Sequence, residues 1–416
     1  MLKATAMSSN FLRPRAGATL ALACAACCAP AWAQTSAGRG YTDLGAVDGS
    51  FVGPVTLADS GVGIGQAFAA SGGTGSFSFS GSSIYDVTAL NGASGGTYYV
   101  DAAGQVAGQA YSAGGSSTSA FFYSGGKYNV IASLGGTGTY VTGMSASGEV
   151  IGYGNTAGNA STHAFAYTGG NRIDLKTLGG STSTAVAVNS AGQVVGNSST
   201  SGDAASHAFL YSGGGLVDLG TLGGSSSSAT SINAAGVVIG NSSLSGNASN
   251  HAFEYVAGSM VDLGTLGGSS STAVAVNASG QVIGNASTAG NAATHAFIFA
   301  NGKLTDLGTL GGTNSYALGM DSFGDVIGLS DVAGSTAKHS FLYTGGKMID
   351  LSSLVPGVSN FVAIGINNAM QIIGVTTTTS NVVRGLVVSA VPEAGGAAMM
   401  LAGFGLLARA ARRRRR

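Results

Sequence analysis

The sequence repeats itself every 44 residues, and that period limits what it can become. His163, His207, His251, His295 and His339 each open a His-Ala-Phe or, at the last, a His-Ser-Phe. The same interval counted towards the N-terminus reaches Ser119 in SAFFYSGG and Gly75 in GSFSFSGS. Whole units therefore start at 75, 119, 163, 207, 251, 295 and 339. Eleven residues into a unit stands Asp86, Asp174, Asp218, Asp262, Asp306 or Asp350, with Val130 the exception. Thirty-three residues in stands Gly108, Gly152, Gly196, Gly240, Gly284 or Gly328, and Gly374 takes that role in the slightly displaced last unit. A unit of this size is one supersecondary element that cannot bury its apolar face alone, so its neighbours must cover it.

Within the unit starting at 207, four short runs read as strands: HAFLY, LVDLG, ATSIN and VVIGN. Each is apolar or β-branched and bounded by Gly, Ser or Asn. The links SGGG and AAG are short and Gly-bearing, which predicts hairpins. TLGGSSSS and SSLSGNASN are longer, and one of them must step to the next unit. The recurrent glycines read as turn or close-approach positions where a Cβ would clash. Four antiparallel strands in this length make one propeller blade. The flanks are complementary: YTDLG (41–45) matches the second strand, 54–65 the third and fourth, and RGLVVS (384–389) a first strand. The expected fold is all-β, a propeller over 34–390 of eight four-stranded blades, with 41–65 and 384–389 forming the closing blade. The half-repeats DLGTLGGSSS and VIGNSSLSGN, about 20 residues apart, leave a parallel β-solenoid as the alternative.

Glycine provides 71 of 416 residues, and only 8% are charged, against about 25% in average chains. The 44% apolar content argues for a folded body rather than disorder. Residues 34–390 hold 8 basic and 16 acidic side chains, a net charge of −8. That balance disfavours nucleic acid or anionic lipid as a partner of this part.

Both ends read as addresses. Residues 1–33 carry basic residues up to Arg15, an apolar run, and Ala31-Trp32-Ala33 before Gln34, the form of a secretory signal cleaved by signal peptidase after Ala33. A lipoprotein signal would want Leu three places before Cys24, where Ala21 stands. All 3 cysteines lie in this segment, so the processed chain would offer no disulfide, zinc-thiolate site or cysteine nucleophile. At the other end Pro392-Glu393 precede 15 uncharged residues, Ala394 to Ala408, about 22 Å as a helix. Arg409, Arg412, Arg413 and the arginines after them close the chain. Residues 391–416 resemble the PEP-CTERM sorting signal of Gram-negative bacteria, with Ala394 where the second proline is usual. The resemblance implies a short transmembrane helix held by its Arg cluster until an exosortase-type transpeptidase cuts near the motif.

The five histidines raise the question of a metal ring or a set of bases. Gly75 and Ser119 hold the same post in two units, equivalent residues belong to separate blades, and no second ligand follows at a short fixed spacing. They read as structural markers of the repeat. The recurrent Asp reads as an acceptor of backbone hydrogen bonds. Asp321, Asp325 and Asp331 form the densest acidic group and are the candidates for a cation, although their spacing lacks a calcium-loop pattern. No catalytic residue and no cofactor is expected.

The strings THAFAYTGG, SHAFLYSGG, NHAFEYVAG and THAFIFANG, with DLGTLGG and VNSAGQVVG after them, resemble the HAF family of probable extracellular repeats over most of 75–375. The resemblance implies a protein exported to the cell surface or extracellular matrix, and no reaction. The expectation is a non-enzymatic matrix component associated with exopolysaccharide and biofilm, presenting repeated polar loops for weak multivalent carbohydrate binding. The alternative is a propeller polysaccharide lyase or glycosidase, betrayed by acidic residues that break the repeat and converge.

Overall fold

The computed structural model describes residues 95–111, 117–354, 361–377 and 383–389, apart from 102, 126 and 336. Before these it describes the strands at 34–35, 41–43, 51–57, 62–68, 74–80 and 83–86. This part of the chain is all-β, laid out as four-stranded antiparallel meanders that follow the repeat, with one five-stranded sheet in the order 34–35, 41–43, 383–389, 371–377 and 362–366. In one of them Gly223–Ile232, Val238–Leu244, Asn250–Val256 and Ser259–Asp262 lie side by side in chain order. The same order recurs within 51–86, 95–131, 135–176, 179–218, 267–306 and 311–350. Successive antiparallel sheets of one repeat each are a propeller-type arrangement. Among the described residues, parallel pairing is confined to single bridges such as Thr162 with Thr182 and Leu222 with Leu244. A parallel solenoid is not what this repeat builds.

The sheet boundary falls two strands later than the His-based unit. The Ser243–Ser249 link tightens into a hairpin, with Leu244 N–H on the Ser249 carbonyl at 3.0 Å and Asn247 N–H on the Leu244 carbonyl at 2.9 Å. The strands on either side therefore pair, and the Leu-Gly-Thr-Leu link must make the step to the next sheet. This corrects the expected grouping at the ends. Tyr41–Asp43 pairs antiparallel with Val383–Ser389, Tyr41 opposite Val388. Phe51–Leu57 and Val62–Phe68, however, belong with Thr74–Ser80 and Ser83–Asp86.

Each apolar core lies between two sheets. Val195, Ala208 and Leu219 of one sheet pack with Ala229, Ile232, Val238 and Phe253 of the next, and Ile239, Ala252 and Leu263 repeat the contact one sheet on. The phenylalanine of each His-Ala-Phe is fully buried. It lies over the glycine of the second strand. A Cβ on Gly240 would stand 2.0 Å from the Ser228 carbonyl oxygen and 2.7 Å from Phe253 Cζ. That position is glycine because two pieces of the same sheet leave no room for anything larger.

The Ser-rich stretch read as a link is mostly strand, and part of it is interior. Ser227 is buried, and its Oγ accepts from Ala208 N–H in the preceding sheet at 3.0 Å and donates to the carbonyl of Gly220, in the link after that sheet, at 2.5 Å. Ser271 and Ser315 repeat this. Asn197 Oδ1 likewise accepts from Ala229 N–H at 2.8 Å. A buried hydroxyl costs free energy unless paired, and these pair across the seam between sheets.

At one edge of the sheets, tight turns carry a buried Asn. Asn233 Oδ1 accepts from the N–H of Ala235 and Val237 at 3.0 and 2.9 Å, and its Nδ2 donates to the Asn277 carbonyl at 2.9 Å. Asn189 makes the same bond to Asn233 at 3.0 Å. The histidines and recurrent aspartates stand at the opposite edge.

Candidate functional site

Each histidine is joined to the aspartate of its own unit. Strand pairing sets Phe253 against Asp262, and a short hairpin then leaves His251 Nδ1 2.8–2.9 Å from the two carboxylate oxygens. His207–Asp218, His295–Asp306, His163–Asp174 and His339–Asp350 match it, with closest approaches between 2.7 and 3.0 Å. An ionised carboxylate only accepts, so each Nδ1 carries the proton. The same carboxylate takes a backbone N–H two residues on, Gly220, Gly264 or Gly308, at 2.7–2.8 Å. The acceptor role expected of the aspartate is therefore present, and the histidine is its second partner. On His295, Nε2 faces the Thr313 carbonyl at 3.1 Å rather than a hydroxyl nucleophile.

Two of these carboxyls are held below the usual range. At Asp174 burial pushes the value up, but the Lys176 ammonium and backbone N–H and the His163 ring outweigh it. At Asp350 the His339 ring and Ser352 outweigh burial in the same way. Their folded values lie under the unfolded value of about 3.9, so their stabilisation is complete above that pH and lost as pH falls through the folded value. Between about pH 5 and 3 the urea midpoint falls more steeply in the parent than in an Asp174→Asn/Asp350→Asn variant. Equal slopes would refute the coupling.

The sixth unit departs from the Asn pattern at one turn, as the first unit does at Asp101, whose Oδ2 is likewise buried without a partner. Asp321 stands where Asn189, Asn233, Asn277 and Asn367 stand, Phe323 where Ala191, Ala235, Ser279 and Ala369 stand, and Asp325 where Gln193, Gln281 and Gln371 stand. Asp321 Oδ1 accepts from Phe323 and Asp325 N–H at 2.9 Å each, as an Asn would. Its Oδ2 has no donor to offer the next unit and is buried without a partner. Burial first, and the Asp325 charge after it, push this carboxyl up against the pull of the backbone N–H groups. The folded value is thus raised, and ionisation at neutral pH costs stability that protonation would restore. Asp321→Asn supplies the missing donor and should raise the melting midpoint by about 1–4 °C. A lower midpoint at neutral pH would contradict this.

Asp331 does not join the other two carboxylates. It lies at the far end of Val326–Val332 from the turn, bonded to Lys338 Nζ at 2.5 Å and Asn314 Nδ2 at 2.8 Å. Among the described residues, no group of three or more His, Cys, Asp or Glu is placed to hold a metal ion.

A shallow cavity of about 420 Å³ adjoins the turn, lined by Ser279, Gly280, Gln281, Ala300, Asn301, Ser322 and Phe323. Phe323 is 73% exposed. Sequence reasoning passed over it, although aligning the units at their own period exposes the substitution.

Ala31, Ala33, Pro392, Glu393, Arg409, Arg412 and Arg413 lie outside the described residues; Gln34 opens the short strand Gln34–Thr35. Among the described residues no helix is long and apolar enough to cross a membrane.

No family model matches the chain, and no curated protein does. Solved structures similar to it include the β-propeller domain of the Trilobed protease from Pyrococcus furiosus, with 9% identity, TM-score 0.48, and coverage of 73% of this chain and 97% of that one. Pyrococcus horikoshii acylaminoacyl peptidase has 8% identity and TM-score 0.44, with 79% of this chain spanning 58% of the peptidase. TolB from Acinetobacter baumannii has 13% identity and TM-score 0.33, over 69% of this chain and 80% of TolB. At such identities the likenesses carry no activity across to this chain.

Proposed function

We propose that the protein is an exported, non-enzymatic component of the cell surface or extracellular matrix, a closed ring of eight blades that binds exopolysaccharide weakly at several places. One observation carries the non-enzymatic part. The groups that resemble catalytic dyads recur in five of the units, and each carboxylate is already occupied by its own histidine and a backbone N–H. A reaction centre needs a unique constellation, and five equivalent couples do not make one. Ring closure is supported by the pairing of Tyr41–Asp43 with Val383–Ser389 and by Phe51–Leu57 running beside the last sheet. Equivalent faces carried around a ring convert weak contacts into avidity.

In this reading 1–33 is removed by signal peptidase and 391–416 is handled by an exosortase-type transpeptidase, the membrane being met only through that segment; no nucleic acid is a partner. Mass spectrometry of the exported protein tests it by giving both cleavage points and the cell fraction. A protein kept in the cytoplasm uncut would sink it.

Asp321 beside Asp325, next to a cavity, favours a second reading as a polysaccharide lyase or glycosidase. Release of reducing or unsaturated ends from the producing cell's own exopolysaccharide, abolished by Asp321→Asn, would establish it in place of the first.

A further inference from the structure

Among the described turns equivalent to that of Asp321, this one alone carries an aromatic side chain at the position of Phe323, and a cavity lies beside it. The cavity is built across one seam: Ser279, Gly280 and Gln281 come from one turn of the 267–306 sheet, Ala300 and Asn301 from another, and Ser322 and Phe323 from the next sheet. Its lining is two hydroxyls, two carboxamides and one aromatic face, with no charged side chain. A lone exposed phenylalanine is ordinary on a protein surface. What sets this one apart is the group across the cavity from it.

Gln281 Oε1 accepts from Asn277 Nδ2 at 2.7 Å, which fixes the plane of its amide. It also lies against the next unit, where a Cβ on Gly324 would come within 2.7 Å of the same oxygen. In two other units the equivalent glutamine uses its Nε2 on a serine 19 residues further on: Gln105 on Ser124 at 2.6 Å, and Gln193 on Ser212 at 3.4 Å. At the corresponding place for Gln281 stands Ala300, which has no acceptor on its side chain. The 267–306 sheet has lost the internal partner of an oriented donor, and the next sheet sets an aromatic side chain at the same cavity. Asn301, exposed and at φ +53°, presents a second amide at the rim.

We propose that this cavity is a subsite for one neutral pyranose ring, whose C–H face stacks on Phe323 while its hydroxyls meet Gln281 Nε2, the Asn301 amide and the Ser322 hydroxyl. Sugars combine an apolar face with a rim of uncharged donors and acceptors, and the lining mirrors both. An anionic ligand would find no cation here, and a purely apolar one would strand the amide. The volume falls within the roughly 300–1,000 Å³ of small-molecule sites. With a single ring contacted, affinity lies in the millimolar range and matters through repetition along a polymer. The inference rests on the polysaccharide-binding reading and gives it a location.

The test uses the full chain, with saturation-transfer NMR and affinity electrophoresis. The probes are maltohexaose, cellohexaose, mannohexaose and a β-galactan oligomer, then polygalacturonate and the producing cell's own exopolysaccharide. At least one neutral oligosaccharide binds, and Phe323→Ala weakens it about tenfold with the melting midpoint unchanged, because alanine already serves at this turn position in other units. Gln281→Leu gives a comparable loss. If both variants bind as the parent does, or if only polygalacturonate binds, the subsite is overturned while the broader reading stands. If neither the oligosaccharides nor the exopolysaccharide binds, both fall.

Discussion

Phe253→Ala should lower stability by about 3–5 kcal/mol, the largest loss expected from a single side chain in this protein. The ring is fully buried and touches two sheets at once, its own and the one carrying Val195, Ala208 and Leu219. Truncation removes that apolar burial and leaves a hole among Val195, Ala208, Leu219, Ile232 and Val238, side chains held on paired strands that relax only partly to fill it. Urea unfolding of parent and variant at neutral pH gives the difference directly. A loss under about 1 kcal/mol would mean that the seam between sheets is not a packed core.

Gly240→Ala should act in the opposite sense from the usual one. Replacing a strand glycine by alanine ordinarily gains about 0.5–1 kcal/mol by restricting the unfolded chain. Here the added methyl would meet the Ser228 carbonyl at 2.0 Å and Phe253 Cζ at 2.7 Å. The carbonyl belongs to the paired neighbouring strand, so it yields only if the ladder opens. The expected cost is at the upper end of the roughly 1–3 kcal/mol of overpacking. Phe253→Leu in the same chain should relieve only the contact with the ring, leaving most of that cost in place. Thermal melts of the two single variants and the double variant settle this, and a stabilised Gly240→Ala would refute the close approach.

The period, the hairpins and the close-approach glycines could all be read from the sequence, because each is a local pattern repeated until chance is excluded. Other features depended on what faces what. Ser225 to Ser228 look like a loop, since serine favours turns; that Ser227 crosses to Ala208 and Gly220 depends on how two sheets stack. The constant spacing between each His and the Asp after it was visible, but only the strand register, Phe253 opposite Asp262, turns the spacing into a bond. Asp321, Asp325 and Asp331 looked like one group because they are near in sequence. A strand intervenes, and it carries Asp331 to the other edge. Phe323 is conspicuous only against its counterparts.

The hydrogen bond from the Asn189 side-chain amide to the Asn233 carbonyl, repeated from Asn233 to Asn277, has a consequence for how such a chain can change over generations. Donor and acceptor come from the same position of consecutive copies, so either side of one joint fits either side of the next. Removing or duplicating one whole copy between them restores the joint atom for atom. Recombination between near-identical gene segments can thus vary the number of copies without inventing a new contact. The joints that follow Asp101, Ser145 and Asp321, with no amide to give, are where that interchangeability ends.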